Sequence, residues 1–323
     1  MSHCTSKSLT SALAIAAAAL AANVAHAEGV EAGTIIKNTA QASYTSGSAT
    51  KTVLSNTVEI KVDELLDVAV SSQGAAMTSQ DTAVFTFKVT NTGNGTEAFN
   101  LVANAAVAGN DYDMIVQQIV VDDGDGIYDP TKDTVLSTGT PTSAIVHDGS
   151  VTVFVIAKLP EGAADGQTSN IKLVATSDTG TGSAGTVFAA KGDGGSDAVV
   201  GASTATQDAS QAITASIASL SIEKSATTSD PYGGTQSIPG AVITYKIVAN
   251  MTGSGTVDGA SITDVIPTGT TYQPSSLTLQ GTGLSDAADN DAGKASNTDG
   301  VAVSLGTVAA GQTRTVTFQV KIN

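Results

Sequence analysis

The chain has 323 residues, with 14 Lys and Arg against 30 Asp and Glu, a net charge of −16 and no Trp. Such an acidic surface repels nucleic acid and anionic lipid, which excludes both as partners. Apolar residues make up 41% of the chain, enough for packed cores, so wholesale disorder is excluded as well.

In chain order, residues 1–27 read as a secretory signal peptide. Lys7 supplies a positive start, Ala12-Leu-Ala-Ile-Ala-Ala-Ala-Ala-Leu20 an apolar run free of charge, and Ala25-His26-Ala27 the small-x-small pattern of a cleavage site. The mature chain is then expected to begin at Glu28, with 13 basic and 30 acidic residues and a net charge of −17, because the leader holds Lys7 and no acid. Cys4 is the single cysteine and falls inside the leader. The mature chain is therefore expected to carry no disulfide, thiolate metal site or cysteine nucleophile. No later stretch is long and apolar enough for a transmembrane helix, so the expected location is extracellular or at the cell surface.

Residues 28–63 are expected to form an N-terminal β-hairpin. The runs Gly33 to Tyr44 and Thr52 to Val62 flank a Ser/Gly turn. Val58, Ile60 and Val62 alternate with Glu59 and Lys61, which predicts a strand with one buried face.

Residues 64–212 read as a divergent β-sandwich domain with an acidic loop and a closing linker. Leu66 to Val70, Val84 to Val89, Val151 to Ile156 and Ile171 to Ala175 have strand character, and turn signals recur between them. The stretch 178–216, rich in Gly, Ala, Ser and Thr, is expected to close the domain and then act as linker, with the boundary near 212. Residues 213–323 read as a second sandwich. Tyr245, Ile247, Leu305, Val316 and Phe318 are its expected core residues. The fold class is therefore all-β: two tandem immunoglobulin-like β-sandwiches behind a signal peptide and a hairpin.

The chemical inventory is thin. The mature chain has one histidine, His147, and one arginine, Arg314. No spacing pairs His147 with a nucleophile, and no zinc pattern or phosphate-binding glycine loop is present. Catalytic residues and an organic cofactor are not expected. Asp122-Asp-Gly-Asp-Gly-Ile-Tyr-Asp129, followed by Asp133, is similar to a calcium loop, since hard cations take several oxygens around a sharply turning backbone. A regular EF-hand is excluded, because aligning Asp123 at loop position 3 leaves Val121 at position 1 and Lys132 at position 12. Asp122, Asp123, Asp125, Asp129 and Asp133 remain candidate ligands of a shortened calcium loop, against the alternative of a solvated acidic turn. Asp286, Asp289 and Asp291 form a second, less diagnostic acidic loop.

The last third of the chain resembles the bacterial surface repeat catalogued as domain of unknown function eleven. Pro239-Gly240 precedes Ile243-Thr-Tyr245. Asn250, Gly253 and Gly255 follow the strand. Ile262-Thr-Asp-Val-Ile-Pro267 precedes Tyr272, and Leu305 to Gly311 leads into Thr315-Val-Thr-Phe-Gln-Val320. The resemblance covers about 218–323 and implies an extracellular immunoglobulin-like or prealbumin-like sandwich of surface and adhesin-like proteins, with no activity attached. The expected function is structural or adhesive, with other surface or matrix proteins, or copies of this chain, as partners. The alternatives are a filament subunit assembled by β-strand donation and a secreted hydrolase working through acidic residues.

Overall fold

The computed structural model describes residues 29–46, 48–75 and 77–323. The expected leader, its cleavage site and Cys4 lie outside them. The described residues form β-strands joined by turns, with one short 3-10 turn at Asp193–Gly195. They make two immunoglobulin-like β-sandwiches in tandem, preceded by a hairpin.

The hairpin strands, Ile35–Ser46 and Ala49–Lys61, pair antiparallel, and among the described residues no third strand joins them. The buried face expected of Val58 and Ile60 is not there: they are 54% and 62% exposed. Alternation is real, but nothing among the described residues packs against it. Chain spacing alone cannot say whether a face meets a core.

In the first sandwich one sheet runs Val68–Ser72, Thr82–Asn91, Ser150–Lys158, Ile115–Val121, Thr134–Leu136 in spatial order. The facing sheet runs Met77–Ser79, Thr206–Ala215, Thr168–Ser177, Phe99–Asn104. Alternate residues meet between them: Phe85, Phe87, Val89, Val153 and Val155 against Phe99, Ile171, Leu173 and Ile213, all fully buried. This accounts for the strict in-out alternation along these strands. The expected linker is instead structured. Thr206–Ala215 is a strand that crosses the expected boundary near 212, because Ile213 and Ala215 are core residues of the first sandwich. The connection is Ser216 and Ile217 alone.

In the second sandwich Ala218–Ser229, Val242–Gly253 and Thr313–Ile322 form one sheet, and Thr256–Asp264, Gly300–Ala309 and Gly293–Ser296 the other. Register sets Tyr245 opposite Phe318 and Ile247 opposite Val316. Ile247, Leu305, Val316 and Phe318 are buried as expected, while Tyr245 is half-buried at the margin.

Polar contacts tie the sandwiches. Asp165 accepts hydrogen bonds from the Ile217 amide at 2.9 Å and from the Ser254 amide and hydroxyl at 3.1 and 2.5 Å. Gln80 accepts from the Thr256 amide at 2.7 Å. Gly253, at φ +96°, lies so close to this joint that a Cβ would sit 2.0 Å from the Ile217 carbonyl oxygen.

Candidate functional site

The acidic loop joins Ile115–Val121 to Thr134–Leu136 at one end of the first sandwich. Its turns need left-handed backbone at Gly124, φ +112°, and Gly126, φ +77°, which glycine adopts at little cost. The fold brings three of the five candidate carboxylates together: ligand oxygens of Asp122, Asp123 and Asp133 lie within 4.8 Å of one another. Asp133 is the anchor. It is only 8% exposed, and its two oxygens accept from the Asp123 amide at 3.1 Å and the Asp129 amide at 2.8 Å.

The other two candidates point to different work. Asp125 accepts from the Ile127 amide at 2.8 Å. Asp129 accepts from the Thr131 hydroxyl and amide at 2.7 and 2.9 Å and pairs with Lys132 at 3.2 Å. These bonds, the Thr131 hydroxyl first, hold the Asp129 carboxyl down at about 2. Three gathered carboxylates with remaining lone pairs are the group in this loop that could hold a hard divalent cation, which would also offset their mutual repulsion.

The second acidic loop is not gathered. Asp286 accepts from the Tyr272 hydroxyl at 2.7 Å and the Ser275 amide at 2.8 Å. Asp289 accepts from the Ser285 hydroxyl at 2.6 Å, and Asp291 from the Ser285 and Gly293 amides at 2.6 and 2.8 Å. Its carboxylates act as turn braces. His147 lies 3.0 Å from a Glu31 oxygen, and Arg314 is 3.1 Å from the Gln312 side-chain oxygen; both are surface contacts.

Two further features escaped the sequence reading. The first is the root of the hairpin. Asn94 donates to the Val30 and Asp63 carbonyls at 3.0 and 3.1 Å, and Lys61 donates to the Gly194 carbonyl at 3.0 Å. Beneath them lies Glu64, 2% exposed, accepting from the Asp193 amide at 2.8 Å while its other oxygen has no partner. Burial, with lesser repulsion from Asp193 and Glu97, raises its carboxyl to about 7. A buried glutamate breaks local alternation and leaves no sequence signal.

The second is a cleft of about 620 Å³ in the side of the first sandwich, lined by Leu101, Ala103, Val116, Ile119 and Leu136 among others. It exists because Phe99–Asn104 ends its sheet there, opposite Ile115–Val121, whereas the facing sheet goes on to Thr134–Leu136.

No protein-family model and no curated protein matches the chain. The resemblance to the surface repeat therefore stands on the residues quoted for it. Among solved structures, one titled BspA_C_WT is 9% identical with a TM-score of 0.35, over 77% of this chain and 87% of that one. A putative membrane anchored protein from Corynebacterium diphtheriae is 9% identical with a TM-score of 0.22, over 84% of this chain and 57% of that one. Native alpha-2-macroglobulin from Escherichia coli, from domain MG7 to the C-terminus, is 12% identical with a TM-score of 0.26, over 67% and 22%. At these identities and scores the likenesses carry nothing about what this chain does.

Proposed function

We propose that this chain is an exported, non-catalytic protein of the bacterial surface with a structural or adhesive role, and that the N-terminal hairpin is its binding element. The observation that carries this reading is the hairpin itself. Ile36, Ala42, Tyr44, Val53, Val58 and Ile60 share one face of a two-stranded ribbon, and each is exposed. Two-stranded ribbons are marginal alone in water, and an exposed apolar face of this kind marks a surface that meets a partner. The expected leader supports export, and the resemblance of 218–323 supports a surface location.

The test is to export the full chain and a version lacking 29–62, then measure each on the cell surface or in extracellular matrix against the medium. Retention of the parent and release of the shortened protein is the expected outcome. Equal partition of the two, with both folded, would overturn the reading. A second reading, calcium stabilisation of the acidic loop, is favoured by the gathering of Asp122, Asp123 and Asp133.

A further inference from the structure

We infer that the hairpin's partner is the first sandwich of a second copy of this chain, and that it docks in the cleft beside Phe99–Asn104. The inference rests on the reading of the hairpin as the binding element.

The first sandwich is unfinished on one side. Val116, Ile119 and Leu136 belong to strands of the five-stranded sheet and pack at the margin of the core, but remain partly exposed. The strand that would cover them is absent from the four-stranded sheet, which stops at Phe99–Asn104. The space left is the cleft of about 620 Å³. Its wall is also a hydrogen-bonding edge. Phe99–Asn104 pairs with Thr168–Ser177 on one side only. On the other side Phe99 is held by Thr142, its amide 3.1 Å from the Thr142 hydroxyl and its carbonyl 2.9 Å from the Thr142 amide. Backbone direction alternates along a strand, so Leu101 and Ala103 face the same open side as Phe99. Among the described residues no strand pairs with them there.

The hairpin supplies what this side lacks. Added to that edge, it would continue the four-stranded sheet. Its apolar face, with Val53, Val58 and Ile60, would turn onto Val116, Ile119 and Leu136. Its opposite face, mostly polar with Lys37, Glu59, Thr39, Thr57, Ser43 and Thr52 but also carrying Ile35 and Leu54, would stay in water. Charge agrees. Strands 35–61 carry Lys37, Lys51 and Lys61 against Glu59, a net +2, whereas residues 64–212 hold 18 acids and 5 bases, a net −13. The hairpin is a cationic arm on an acidic body, and steering of opposite charge favours its approach to another copy.

A chain's own hairpin does not occupy its cleft. It is clamped at the root by Asn94 and Lys61 and runs out from there with its strands exposed. The contact is therefore heterologous, arm to cleft, and repeats without closing unless the geometry forms a ring.

The experiment uses the mature chain and two kinds of variant. Val58→Asp places a charge on the apolar face of the arm. Ala103→Lys places one at the mouth of the cleft, and Ala103→Pro removes an edge donor without a bulky side chain. Sedimentation velocity over a concentration series should show the parent assembling. Each variant should weaken self-association by roughly tenfold or more, as expected for a change at the centre of an interface. Thr57→Asp, on the polar face, should assemble as the parent does, and all variants should melt as the parent does.

An equal mixture of Val58→Asp and Ala103→Lys copies is decisive. Each kind keeps the half that the other has lost, so the mixture should form dimers that grow no further. If both Ala103 variants assemble like the parent while Val58→Asp does not, the arm docks elsewhere: this inference falls and the proposed function stands. A parent that stays monomeric across the series also overturns the inference, whatever the surface-retention experiment shows.

Discussion

Glu64 shows how a single residue can run against its surroundings. Its folded-state carboxyl is raised from 4.5 to about 7, chiefly by burial. The folded protein thus keeps a proton that the unfolded chain gives up between these values. Its contribution to stability is therefore full below about pH 4.5 and is lost as pH rises through about 7. Glu64→Gln keeps the shape and an acceptor for the Asp193 amide. It should raise stability above neutral pH by about 1–3 kcal/mol and do little near pH 4, measured by urea unfolding across pH. A gain that is the same at both pH values would show that charge is not the cause. Phe318 is the opposite case, a residue in full agreement with its place. It is fully buried, with its ring 5.2 Å from that of Tyr245. Phe318→Ala should cost about 3–5 kcal/mol. Gln319→Ala loses one side-chain bond, to the Thr244 hydroxyl at 3.2 Å, and should cost under about 1.5 kcal/mol. Equal losses in denaturant unfolding would contradict this packing.

At the scale of an element, the acidic loop makes a separable prediction. If calcium is held by Asp122, Asp123 and Asp133, the ion should raise thermal stability, by about 2.7 kcal/mol at a hundredfold excess over Kd. Asp123→Ala should abolish that gain. Asp125→Ala should leave most of it, because its carboxylate is not one of the three that converge. Calorimetry with calcium and with chelator reads both. Unchanged melting of the parent would make the loop a solvated turn. The hairpin teaches a different lesson at this scale. Its strands and pairing were legible from two alternating runs around a turn, with 33–44 and 52–62 expected against Ile35–Ser46 and Ala49–Lys61 found. Its missing cover was not legible, because alternation reports which residues share a face and not what the face meets.

For the whole molecule, the joint between the sandwiches rests on few groups, and Asp165 gathers most of them. Its carboxyl is lowered by hydrogen bonds, that of the Ser254 hydroxyl first. A depressed carboxyl stabilises above its unfolded value and loses that contribution as pH falls through the folded one, so the joint should loosen in acid. Asp165→Ala should broaden the distance distribution in small-angle scattering at neutral pH, without lowering the melting of either sandwich by more than a few degrees. A distribution identical to the parent's would show that Gln80 and the Ser216–Ile217 connection suffice.

The sequence by itself determined that the chain is all-β and two sandwiches long, and four of the five residues it named for the second core are buried. Those properties follow from local period and turn chemistry: Ile247, Val316 and Phe318 alternate with polar neighbours, and glycines mark the breaks. Tertiary structure alone decided that 206–215 is a core strand, since its Ala, Ser and Gln content reads as linker until Ile213 meets the facing sheet. It alone decided which aspartates converge, because Asp122 and Asp133 are brought together by the pairing of Ile119, Val120 and Val121 with Leu136, Val135 and Thr134. It also decided that Glu64 is buried and that one sheet stops short of the other. Each depends on what lies across a sheet or between sheets, and such neighbours are set by long-range pairing that no local window contains.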